Sequence, residues 1–110
     1  DQAEDALTVT DFRPYRVFSA YKLPFVDGAF DTVVCAQAME YMDNQKAFLD
    51  EARRVARFLV ITVPIGEMTK WSQLRIYTEE NIRELLNPYG AIKVFDRQGD
   101  LLLVKLEFDA

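Results

Sequence analysis

The nucleophiles and bases that hydrolases and metalloenzymes use are scarce in this chain. Cys35 is its single cysteine, and histidine is absent from all 110 residues. Without an imidazole, no Ser–His–Asp or Cys–His arrangement can be written. Zinc sites need several Cys or His ligands, so no metal site is expected. One thiol forms no internal disulfide, and the expected setting is reducing and cytoplasmic. Cys35 lies in an apolar run and reads as a buried, inert thiol; a reactive one needs an electropositive, exposed setting. What remains are acids, tyrosines and scattered cations. Asp11, just before Arg13-Pro14, reads as a strand cap or turn opener as readily as a ligand. Glu40, beside Tyr41, reads equally as a helix cap, a surface acid or a substrate contact. Trp71 and Tyr77 read as a loop cluster in preference to a pocket lining, and Lys70 and Arg75 as solvated charges.

Charge narrows the partners. Thirteen Lys+Arg stand against 18 Asp+Glu, a net charge of −5, whereas phosphate binding needs clustered positive charge. Arg53, Arg54 and Arg57 form the one basic cluster, and they read as a solvated helix face. Nucleic acid is therefore not an expected partner. No apolar run approaches the ~20 residues of a membrane span, and the acidic start, Asp1 to Asp5, lacks a signal-peptide core. Half of the residues are hydrophobic and 28% are charged, the composition of a folded globular domain. At this length the expectation is a single domain over residues 1–110.

The elements that must position these groups alternate between two periods. Leu7–Thr10 and Arg16–Ser19 read as short strands, separated by Asp11 and Arg13-Pro14. Asp27-Gly28 marks a turn before Phe30–Ala36. The core of that segment, Thr32 to Ala36, is apolar or β-branched throughout, the signature of a strand covered on both faces. Phe48, Ala52, Val55 and Ala56 recur at helical spacing, predicting an amphipathic helix over about Gln45–Arg57 with Asp43 or Asn44 as N-cap. Phe58–Val63 is a second fully apolar strand. Thr78, Glu79 and Glu80 announce another helix, whose stripe is Ile82, Leu85 and Leu86 and whose end is marked by Pro88 and Gly90. Ile92–Phe95 and Leu101–Phe108 are the last strands, joined by a hairpin turn over Arg97–Asp100. The order β, β, β, α, β, α, β, β predicts an α/β sheet, mostly parallel, with a C-terminal antiparallel hairpin.

The stretch Leu23-Pro24-Phe25-Val26-Asp27-Gly28-Ala29-Phe30-Asp31-Thr32-Val33-Val34-Cys35 resembles the fourth-strand region of class I S-adenosylmethionine-dependent methyltransferases, most closely the type 11 group. The likeness continues through Ala38-Met39-Glu40-Tyr41, Phe48 to Val55, Leu59 to Pro64 and Arg75 to Ile82, covering roughly residues 7–108. The resemblance implies a Rossmann-like sheet with S-adenosylmethionine across the carboxyl ends of its strands. It also implies roles for single residues. Asp11 would accept from the ribose hydroxyls, and Ser19 and Ala20 would lie toward the adenine, with Ser19 in the place of an aspartate. Ala36 and Gln37 would line the methionine end. Glu40 and Tyr41 would face a small-molecule substrate. No residue is singled out as catalytic, because methyl transfer asks a protein mainly to align the nucleophile, the methyl group and the leaving sulfur.

One departure is large. The family's first strand carries a glycine-rich cofactor loop, but Gly28, Gly66, Gly90 and Gly99 all lie downstream of the expected second strand. The chain reads as a fold truncated at its N-terminus, its central first strand missing. A non-catalytic scaffold or regulatory subunit is the alternative to an enzyme. The residues between Asp11 and Arg16 are also too few for a crossover helix. Two helices are few to cover both faces of the apolar strands. A homo-oligomer, or a partner chain completing the sheet, is therefore expected.

Overall fold

The computed structural model describes residues 6–10, 15–36, 38–65 and 77–109, and for residues 6–10, 15–19 and 40 the backbone alone. The element order is β1 (Ala6–Thr10), β2 (Tyr15–Ser19), β3 (Phe30–Ala36), α1 (Gln45–Val55), β4 (Ala56–Pro64), α2 (Glu79–Leu86), β5 (Gly90–Gln98) and β6 (Leu101–Phe108). Short 3-10 turns occupy Met39–Tyr41 and Asn87–Tyr89. Every strand and helix read from the sequence is present in the expected order.

Helix α1 begins where Asn44 accepts from the Ala47 amide at 3.0 Å. Phe48, Leu49, Ala52 and Val55 bury one face, and Arg53 and Arg54 sit in the last turn, where cations favour the helix dipole. No glycine ends it: Ala56 turns extended, its amide still bonded to the Ala52 carbonyl, and the chain runs straight into β4. Helix α2 opens with a reciprocal capping box. The Thr78 hydroxyl accepts from the Asn81 amide at 3.1 Å, and the Asn81 side chain accepts from the Thr78 amide at 2.8 Å.

The main sheet has the order β3-β4-β6-β5. β3 and β4 are parallel, in register from Phe30 with Ala56 to Ala36 with Thr62. β6 is antiparallel to both β4 and β5. The parallel share is thus smaller than the sequence pattern suggests, and the sheet is mixed. β1 and β2 form a separate antiparallel pair, Ala6 opposite Ser19 and Thr10 opposite Tyr15. The shortness of the connection between them is the reason: four residues allow a hairpin but no parallel crossover.

One face of the main sheet is covered. Cys35, Leu59, Ile61, Val63, Leu102, Val104 and Leu106 join the buried residues of α1 and α2 in a single apolar core. The opposite face carries Thr32, Val34, Phe58, Val60, Thr62, Leu103 and Lys105, all half-buried or exposed. Val34 is 64% exposed and Leu103 37%. Within this chain β3 and β4 are thus buried on one face, and a run of β-branched residues reads the same whether one side or two are covered.

Two glycines in the C-terminal hairpin differ in their reasons. Gly99 has φ +62° in open space, suited to a two-residue turn. At Gly90 a Cβ would collide with the Glu107 carbonyl and the Phe108 Cα across the ladder. Gly99→Ala is expected to cost about 1 kcal/mol, from backbone strain alone. Gly90→Ala is expected to cost clearly more, about 3 kcal/mol, because backbone cannot yield as a flexible side chain does. Urea unfolding of the two variants checks the ranking, and equal losses would contradict it.

Candidate functional site

Parallel pairing puts the carboxyl ends of β3 and β4 side by side, and ligands of open α/β sheets bind outside such ends. Ala36 ends β3, exposed. Ala38 follows, half-buried, and then the 3-10 turn Met39–Tyr41. Met39 and Met42 are fully buried beneath this segment, while Tyr41 is half-buried. The result is a shelf with small side chains above and packed thioethers below.

Tyr77 secures the shelf from beside the end of β4. It forms a parallel bridge with Ile65, just past the end of β4. Its hydroxyl donates to the Met39 carbonyl at 3.3 Å and accepts from Gln45 Nε2 at 2.8 Å. The ring is 4% exposed. Tyr77 thus joins three segments: the start of α2, the start of α1 and the turn after β3. It also lines two grooves. One, about 680 Å³, lies beside Ile65 with Thr78, Glu79, Arg83 and Arg97. The other, about 650 Å³, lies between the helices with Gln45, Asp50, Arg53 and Tyr89. A groove of about 860 Å³ opens at the opposite, amino end of the parallel pair, beside Phe30, Ala56 and Arg57.

The connection from β2 to β3 is drawn to the same helix. Tyr21 Oη accepts from the Asn44 amide at 3.2 Å, at the cap of α1. The residue after Ala20 therefore docks where the shelf segment enters its helix. Lower down, Arg54 acts as a strut. Its guanidinium donates to Glu51 at 2.9 and 3.0 Å, to Asp27 at 2.9 Å, and to the carbonyls of Leu23 (2.9 Å) and Phe25 (2.7 Å). Glu51 also accepts from the Leu23 amide at 2.8 Å. The Arg54 side chain holds the Glu51 carboxyl below its ordinary value of 4.5, helped by the Leu23 amide and opposed by burial. Glu51, and then Asp27, push Arg54 further up. Arg57 holds Glu107 below its ordinary range in the same way, helped by Lys93.

The sequence-derived candidates divide as follows. Ala36 and Tyr41 are on the shelf, and the backbone of Glu40 lies in its 3-10 turn. Ser19 is the last residue of β2. Ala20 is fully buried in the core, so its side chain presents no surface. Asp11 and Gln37 lie outside the described residues, as do Lys70, Trp71 and Arg75. The reading of the arginine cluster as a solvated face is corrected for Arg54, which holds the 20–29 connection. Arg53 pairs with Asp50 at 3.5 Å and stacks over Tyr89, and Arg57 pairs with Glu107 at 2.7 Å. Gln45 was not visible as a functional partner: it meets Tyr77 across 32 residues, and no local pattern signals that contact. Among the described residues no group of three or more His, Cys, Asp or Glu could hold a metal ion, and no helix is long and apolar enough to cross a membrane.

Residues 1–58 match the family described as "Methyltransferase domain". No curated protein matches the sequence. Among solved structures, the chain is similar to a SAM-dependent methyltransferase from Aquifex aeolicus, with 19% identity and a TM-score of 0.68, over 84% of this chain and 53% of that one. It is also similar to a SAM-dependent methyltransferase, possible histamine N-methyltransferase, from Thermotoga maritima, at 15% identity and a TM-score of 0.69, over 84% and 62%. A Pyrococcus horikoshii protein aligns with 14% identity and a TM-score of 0.69, over 84% and 57%. These likenesses show the fold. The chain spans between about half and three-fifths of the length of these neighbours.

Two outcomes are expected here. Tyr77→Phe removes the hydroxyl between Gln45 and Met39 and should cost about 1–2 kcal/mol in urea unfolding. An unchanged midpoint would remove Tyr77 from the shelf's support. For Glu51, the folded carboxyl binds its proton less readily than the unfolded one. Its stabilisation is therefore complete above about pH 4.5 and fades as the pH falls below that. Glu51→Gln should lower the melting temperature by about 4–8 °C near neutral pH. The gap between variant and parent should narrow on acidification, and a gap that widens toward acid would refute the assignment.

Proposed function

Because this chain belongs to the methyltransferase domain family, we propose that its shelf forms one wall of an S-adenosylmethionine site that serves methyl transfer to a small molecule. The observation that carries this reading is the position of exposed Ala36 and half-buried Ala38 and Tyr41 at the carboxyl end of β3, beside the end of its parallel partner β4.

The fit of the cofactor to the described residues is partial. Ala36 and Ala38 keep the backbone approachable over a packed floor, which suits the methionine end of the ligand. The polar groups assigned to its ribose and methionine sides, Asp11 and Gln37, lie outside the described residues. Bound there, S-adenosylmethionine supplies the electrophilic methyl on a sulfonium, the difficult part of the chemistry. The chain's own work is alignment. The shelf fixes one side of the site, and Tyr77 and Gln45 keep it from shifting. Tyr41, with its ring half-buried, and Glu40 beside it are the groups that meet the acceptor. Asp11 holds the ribose, with Ser19 toward the adenine. The two grooves that share Tyr77 offer room for an acceptor of small-molecule size.

Titration calorimetry with S-adenosylhomocysteine tests this reading. Micromolar binding is expected, weakened roughly ten- to hundredfold by Asp11→Ala, which unpairs the ribose donors (about 1–3 kcal/mol). The absence of both heat and thermal shift at millimolar ligand would overturn it in favour of a scaffold that keeps the sheet without the cofactor.

A further inference from the structure

The arginines of this chain differ in what holds their charge. Arg53, Arg54, Arg57 and Arg97 each reach a carboxylate, on Asp50, Glu51, Glu107 and Glu79. Arg83 alone among the described arginine side chains has neither an ion pair nor a hydrogen bond. Its guanidinium lies instead over the Phe95 ring, 3.7 Å from the centroid. A ring face fixes a cation in place without neutralising it or accepting its in-plane N–H groups. Arg83 is exposed, and it lines the groove of about 680 Å³ beside Ile65. The walls of that groove are tied down. Tyr77 bridges to Ile65, and the Ile65 amide donates to the Asp100 carbonyl at 2.8 Å, which anchors the turn of the C-terminal hairpin to the end of β4. Arg97 donates to the Gly99 carbonyl at 2.9 Å and to Glu79 at 3.1 Å, so Glu79 is already engaged. Glu80, the other acid of the groove, stands three residues from Arg83 on α2 without pairing with it.

We propose that Arg83 seats a carboxylate of the small molecule held in this groove, which on the reading above is the methyl acceptor. A guanidinium meets the two oxygens of a carboxylate with two parallel N–H donors, a strong and orientation-specific pairing. Arg83 is placed in advance for that role. No ion pair has to break before the ligand enters, and the Phe95 ring has already ordered the side chain, which lowers the cost of binding. Ile65 and Tyr77 line the same groove and give the ligand's apolar body a surface. The seat itself does not require the cofactor; only the ligand's role as methyl acceptor rests on the reading above.

Isotope-edited NMR of the arginine Nε–H groups, on the 110-residue chain, reads the seat directly. Titrated with sodium propionate at low salt, Arg83 is expected to shift saturably, with a dissociation constant in the millimolar range. Arg53 and Arg57, each already paired, should move little. Propionamide, the uncharged isostere, should leave Arg83 in place. Arg83→Lys keeps the charge and loses the fork, and should weaken propionate binding roughly tenfold, followed at Arg97. Unsaturated shifts shared by all the arginines, a response to propionamide equal to that to propionate, or an unchanged affinity in Arg83→Lys would each overturn the proposal. Calorimetry with S-adenosylhomocysteine separates it from the cofactor reading. A chain that binds S-adenosylhomocysteine but not propionate keeps that reading and loses the seat. A chain that binds propionate at Arg83 but not S-adenosylhomocysteine keeps the seat and loses the acceptor role.

Discussion

Two parallel neighbours cannot be joined by a tight turn, because the chain must leave the carboxyl end of one strand and return to the amino end of the next. Between β3 and β4 only the shelf segment and α1 are available to make that passage. That one requirement sets most of the remaining structure. It lays α1 across a face of the sheet, where Phe48, Leu49, Ala52 and Val55 fill the space above Leu59 and Ile61. It leaves the far edge of β4 free for β6, which arrives antiparallel with β5 outside it. It also places the ends of β3 and β4 side by side, so that Ile65 and Met39 both lie within reach of Tyr77.

Polar struts then fix what the apolar core leaves loose. The connection from Ala20 to Ala29 lies outside the regular elements, and its backbone carbonyls need partners. Arg54 supplies two of them from the last turn of α1, while Glu51, one turn earlier, takes the Leu23 amide and orients the guanidinium. Such a planar fork suits the task, since one side chain satisfies several acceptors at fixed angles. Phe25 packs edge-on against Phe30 at 4.7 Å, so the connection is held by a ring contact as well as by charge. The loop is thereby built from its neighbours, and α1 organises both ends of the molecule.

The sequence carried the elements well because their signals are local. Asn44 and Thr78 are caps within three residues of the amides they satisfy, and the apolar stripe of α1 repeats within four. Strand order is another matter. β6 inserts between β4 and β5, although β5 comes first in the chain, and no local period encodes that choice. The antiparallel pairing of β1 with β2 was announced only by the shortness of the link between them. Contacts across long separations were silent: Arg54 reaches Leu23 across 31 residues, and Gln45 reaches Tyr77 across 32. The resemblance points to Ala36, Glu40 and Tyr41 by motif; Ala36 ends β3, and the other two lie in the 3-10 turn that follows.

The proposed chemistry accounts for the site's quietness in the sequence. Hydrolases announce themselves because they need an activated nucleophile, a base and an orienting acid at set distances. Methyl transfer from a sulfonium needs an approach line held open and water kept off it. On the proposed reading, small residues such as Ala36 and Ala38 beside the buried Met39 and Met42 meet that need. A buried tyrosine hydroxyl, bonded to a carbonyl and an amide side chain, then matters more than a reactive group would. Positioning of this kind is distributed through packing and hydrogen bonds between distant segments, and that is the information a linear reading carries least.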